Sequence, residues 1–90
     1  MFVVSLNYIK HLKDVNAYLG DHRTYLEKYY KLGRFIISGP REPRTGGIIL
    51  VDVDSREQLN DIISEDPFFK AGVAEYEIIE FTPTMRVSGF

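Results

Sequence analysis

Apolar and polar positions along the chain follow two different periods, and the change from one to the other marks out the elements. Residues 1–8 (MFVVSLNY) are rich in β-branched and aromatic side chains, the make-up of a strand. Between 14 and 32 the spacing becomes helical: Val15, Tyr18, Leu19, Leu26 and Tyr29 recur at intervals of three, four and seven. Asp14 is placed to cap this helix and Gly33 to stop it. Residues 34–38 (RFIIS) form a second strand ended by Gly39-Pro40, residues 41–47 a loop, and residues 47–54 (GIILVDVD) a third strand. Ser55 opens a second helix reaching Glu65, with Gln58 at the spacing of a capping box. Asp66-Pro67 breaks that helix, PFFKAG makes a turn or one helical turn, and residues 73–82 form a fourth strand. Pro83 discourages its continuation into the tail, residues 83–90.

The order β-α-β-β-α-β is the ferredoxin-like arrangement, an α+β fold with a four-stranded antiparallel sheet. Right-handed crossovers put both helices on one face of it. A sheet with one wet face alternates apolar with polar, and here the central strands do not. Phe35 and Ile37 point one way and Ile36 the other, while Ile49, Val51 and Val53 oppose Ile48 and Leu50. The second apolar face therefore calls for a partner, and a homodimer joined sheet to sheet is the expectation. One domain over residues 1–82 is expected, with the tail packing on the partner or closing the mouth of a cleft.

Composition narrows the function. Ninety residues, 44% apolar and 27% charged, describe one ordinary globular domain. A net charge of −2 supplies no basic field for nucleic acid. No cysteine is present, which removes disulfides and thiol chemistry. The first residues lack a basic segment ahead of the apolar run, and no run approaches the roughly 18–20 apolar residues of a membrane span, so a cytoplasmic protein is expected. Neither a phosphate-cradling loop nor a dinucleotide fingerprint occurs. With two histidines and no HExxH, neither a metal nor a cofactor is expected.

One residue of the helical stripe is not apolar. His22 is seven residues from both Val15 and Tyr29, within about 20° of each around the helix. It is then either a core histidine with a private partner or the working group of a pocket, where it needs a neighbour to orient its ring. His11, between lysines, reads as exposed, and Arg23, Glu27, Lys28 and Lys31 fall on the solvated side. Asp66 is the leading candidate carboxylate, although an aspartate before proline also shapes turns. Asp52 and Asp54 are weaker candidates. Arg41 and Arg44 in the 41–47 loop read either as an anion clamp over a cleft or as ordinary surface charges.

His22, the run GRFIISGP at 33–40, Gly46-Gly47, EDPFFKAGV at 65–73 and the strand EYEIIEF together resemble the YciI-like (YCII-related) family over about residues 2–82. That resemblance implies a ferredoxin-like protomer forming a dimeric α/β barrel. It further implies an active site on the helix-one histidine and the aspartate of the DP motif, His22 and Asp66 here. Ser38, Gly39 and Pro40 correspond to the end of strand two beside the same cleft, and Phe68 and Tyr25 are candidates for its aromatic walls. Many members carry an arginine a turn before the histidine, where this chain has Tyr18 and Leu19. The function expected is a small-molecule enzyme using a His–Asp acid–base pair, of lyase, isomerase or hydrolase type, on a hydroxylated aromatic or carbonyl substrate. The alternatives are a non-catalytic dimeric module that binds or senses a small ligand, and a structural dimerisation domain with His22 in its core.

Overall fold

The computed structural model describes residues 1–90. Its elements are β1 (Phe2–Tyr8), α1 (Leu12–Asn16), α2 (Leu19–Lys31), β2 (Phe35–Pro40), β3 (Gly46–Val51), α3 (Arg56–Ser64), α4 (Pro67–Lys70) and β4 (Ala74–Glu80). The strands form one sheet in the order β2-β3-β1-β4, with every neighbouring pair antiparallel. This is the ferredoxin-like topology that the element order implied.

The first helix is two helices. Asp14 lies inside α1, whose N-cap is His11, and the chain turns at Ala17 and Tyr18 before α2 begins. Tyr18 has φ −107° and ψ 3°, off the helical path, and its N–H bonds to the Val15 carbonyl three residues back. The break moves Tyr18 to the surface and lets Val15 and the His22–Tyr25–Tyr29 face both pack inward. At the other end Gly33 turns the chain at φ 73°, a conformation that costs a side chain and suits glycine.

The second helix follows its sequence signals closely. Ser55 caps α3 by accepting from the Gln58 N–H at 3.2 Å. Gln58 returns the favour one residue further out than a capping box, taking the Asp54 N–H at 2.9 Å. The third strand stops at Val51, so Asp52 and Asp54 stand exposed beyond it.

The core lies between helices and sheet. Phe2, Val4 and Leu6 of β1 face the helices and are nearly inaccessible, as are Val51 of β3, Leu59 of α3 and Phe68 of α4. Full burial of such side chains contributes about 1.5–3 kcal/mol each against exposure. The opposite face carries Ile37, Ile48 and Ile79 with substantial exposure and no helix over it.

Strand β2 departs from simple alternation. Phe35 pairs with Val51, but Ile37 pairs with Leu50, so Ile36 is an extra residue against the partner strand. Phe35 and Ile37 therefore do not share a face. Phe35 is buried with Val51, and Ile37, 55% exposed, joins Leu50 on the outer side. The bulge also carries Ser38 opposite Ile49, on the helix side of the sheet. β2 runs on through Gly39 and Pro40, which an edge strand tolerates because the missing N–H faces no neighbour.

The tail runs along the helix-free side. Phe81, Pro83, Met85 and Phe90 enclose a shallow cavity with Met1, Ile36 and Leu50. No tail residue lines the cleft that contains His22.

Candidate functional site

Asp66 is the organising residue. It is the N-cap of the one-turn helix α4, with Pro67 in the first helical position, where a missing N–H is harmless. Its Oδ1 accepts the Phe68 N–H at 3.0 Å and faces His22 Nδ1 at 2.8 Å. Its Oδ2 accepts the Tyr76 hydroxyl, from β4, at 2.5 Å. Asp66 has no solvent exposure at all, yet both oxygens are satisfied. The turn-shaping role and the pairing role therefore fall on the same carboxylate.

That arrangement sets the imidazole's tautomer. A carboxylate only accepts, so the proton between the two groups belongs to Nδ1, and in the neutral ring Nε2 is left with its lone pair. The ring is clamped as well: it stacks on Phe68 with centroids 4.0 Å apart and planes 9° from parallel. Burial, and then the Asp66 charge, push the Tyr76 phenol well above its usual range. It consequently stays protonated and donates.

Tyr25 is affected similarly, by burial first and Asp66 second. Its hydroxyl donates to the Ile62 carbonyl at 2.9 Å, and it lies outside the cleft. Tyr25 is core packing between α2 and α3, against the expectation of an aromatic wall. At the neighbouring corner, Tyr29 donates to Glu65, and Lys28 reaches Glu65 at 2.6 Å. The Lys28 hydrogen bond, then that of Tyr29, hold the Glu65 carboxyl below its usual range. Burial and then Glu65 raise the Tyr29 phenol. These contacts tie α2 to the end of α3 and so hold His22 in line with Asp66.

His22, 8% exposed, opens onto a cavity of about 370 Å³, ample for a small ring compound. Leu6, Leu19, Leu26 and Ile49 give it apolar walls, and Ser38, Gly39, Pro40 and Phe68 complete them. The Ser38 hydroxyl lies 2.6 Å from the Tyr30 hydroxyl, which fixes it at the lining, and Tyr8 brings a second neutral hydroxyl-bearing side chain to the cavity. Arg23 and Arg44 stand at the cavity as well. Arg23 follows His22 directly, and helical spacing alone put it on the solvated side.

The two loop arginines separate. Arg41 turns to the outer sheet face, donating to Asn7 Oδ1 at 2.6 Å, Ser5 Oγ at 3.2 Å and the Thr45 carbonyl at 3.0 Å. Only Arg44 borders the cleft. The contribution missed by sequence reasoning is Tyr76: in an alternating strand it looks like any half-buried aromatic, and only its approach to Asp66 distinguishes it.

A small α+β domain holding an imidazole–carboxylate pair beneath an apolar cleft is the class that fold and site together define. The chain belongs to the YCII-related domain family, whose model matches residues 1–82. Among solved structures it is similar to 5-chloro-2-hydroxyhydroquinone dehydrochlorinase (TftG) from Burkholderia phenoliruptrix AC1100, in complex with 2,5-dihydroxybenzoquinone. That similarity has a TM-score of 0.76 at 18% identity and covers 91% of this chain and 94% of the other. No curated protein matches the chain. No helix is long and apolar enough to cross a membrane.

Proposed function

We propose that the cleft is the active site of an acid–base enzyme of lyase type acting on a small hydroxylated ring or carbonyl compound. The observation that carries this is the His22–Asp66 contact at 2.8 Å, with Asp66 sealed behind the ring and His22 open to the 370 Å³ cavity. His22 Nε2 takes a proton from substrate, and Asp66 stabilises the imidazolium through Nδ1. In an elimination, the electron pair of the broken bond to hydrogen forms a new π bond. The leaving group departs with its own bonding pair, and the proton rests on Nε2. Phe68 and the leucine walls hold a planar substrate and exclude water. The dehydrochlorinase likeness supports this class of chemistry.

The test is chloride release from 5-chloro-2-hydroxyhydroquinone, with binding of 2,5-dihydroxybenzoquinone followed in parallel. Turnover that falls by about 10²-fold or more in His22→Asn, with binding retained, is the expected result. Equal turnover in His22→Asn would remove the acid–base assignment. Binding without turnover in the wild type would favour a sensing module.

The assembly that accompanies this reading is a homodimer joined through the outer sheet faces. Exposed Ile37, Ile48 and Ile79 on one unpaired face support it.

A further inference from the structure

The charges around the cleft are one-sided. In a chain of net charge −2, every charged side chain that lines the cavity, other than the histidine, is an arginine: Arg23 and Arg44. Asp66, the nearest carboxylate to the base of the cleft, is sealed behind the imidazole and wholly engaged by three donors. The ion pairs of the protein are His22–Asp66 and Lys28–Glu65, so neither cleft arginine is neutralised by an acid.

Arg44 is nonetheless held in place. Its Nη2 donates to Asn16 Oδ1 at 2.7 Å, and its guanidinium carbon lies 5.9 Å from the centre of the Tyr8 ring. Those contacts occupy one of its five donors and leave the rest of the fork free. Arg23 makes no side-chain hydrogen bond, and as the residue after His22 it lies across the cleft on another element. A cavity with apolar walls, a base at its foot and two unneutralised guanidiniums matches a planar ring with an anionic group at one end.

Resting on the acid–base reading above, we propose that the substrate carries a carboxylate, that Arg44 binds it, and that Arg23 adds to the attraction. The ring lies against Phe68 and Leu26, and its carboxylate points to the Arg44 side of the mouth. Arg44 is then a specificity residue and not part of the proton-transfer machinery. Arg41, drawn to Asn7 and Ser5 on the far face, has no share in it.

The probes are 4-hydroxybenzoate and its neutral isostere 4-hydroxybenzamide, titrated into the full chain while the His22 and Phe68 resonances are followed by NMR. The carboxylate is expected to bind roughly tenfold more tightly than the amide, the usual order for one charge-assisted contact. That preference should weaken with added salt and disappear in Arg44→Gln. Arg23→Gln, a change on an exposed helix position, should reduce it in part, and Arg41→Gln should leave it intact. Equal binding of acid and amide, or a preference that survives Arg44→Gln, would overturn the carboxylate assignment and leave the acid–base reading untouched. No binding of either probe would overturn it too, since these arginines would then gather no anion. The chloride-release assay judges the acid–base reading separately.

Discussion

At the scale of single residues, Asp66 depends on three donors that come from three elements: His22 on α2, Phe68 N–H on α4 and Tyr76 on β4. Removing one leaves a buried acceptor short of a partner, which costs about 1–3 kcal/mol. Tyr76→Phe does this with almost no change of shape, and a loss of that size in urea unfolding is the expected outcome. The same residue bears on alkaline stability. Its folded phenol is raised above its unfolded value near 10, so its contribution is complete below pH 10. Above that, the unfolded chain releases the proton while the folded one retains it, and stability falls as pH rises. Tyr25 acts in the same direction. Urea midpoints between pH 8 and 11 should therefore drop above pH 10 and drop less steeply in Tyr76→Phe. A variant curve parallel to the wild type would show that folding does not raise the Tyr76 phenol.

At the scale of elements, the close approach of β1 to β3 and the bulge in β2 shape the cleft. Gly46 pairs with Asn7, and a Cβ on it would stand 1.8 Å from the Leu6 carbonyl oxygen and 2.7 Å from Arg41 Nη2. Neither backbone can yield without breaking the ladder that supports Leu6, one wall of the cavity. Gly46→Ala should cost roughly 3 kcal/mol or more, at the high end for one methyl group. Chemical denaturation measures this directly, and a cost under 1 kcal/mol would mean that the loop relaxes freely. The bulge has the opposite character, since it is an adjustment already made. By adding Ile36 to the edge strand it turns Ser38 toward the helices, where it meets Tyr30 and the cleft.

The whole molecule is unevenly covered. The helices α1 to α4 lie on one face of the sheet, while the other face has only the tail over its β2–β3 end. Ninety residues bury a modest fraction of their surface, and association through the open face would add to the core. Sedimentation should report a dimer at micromolar concentration, and Ile48→Glu, with an exposed side chain in the monomer, should convert it to a folded monomer. A wild type that sediments as a monomer at that concentration would remove the proposed assembly.

How much of this was legible in advance depends on the range of the interaction. The strand order, the Ser55 cap, the end of the long helix at Gly33 and the place of His22 on the apolar stripe follow from periodicity and local hydrogen bonding, which act within a few residues. Asp66 and Phe68 were marked through the family resemblance that the run EDPFFKAGV helps to carry. The break at Tyr18 was not, because Val15 and Leu19 keep the helical spacing across it; packing against the sheet decides where the axis bends. Nor could spacing show that Ile36 is bulged, that Tyr25 serves the core, or that Tyr76 reaches Asp66. Each depends on which backbone lies opposite, a distance of 10 to 37 residues along the chain. By itself the sequence determined the order of strands and helices, and its family resemblance singled out the two residues that pair. Only the tertiary structure decided which oxygen meets which donor, which arginine faces the cleft and which faces of the sheet are covered, because those are set by register and packing between segments with no local signal for either.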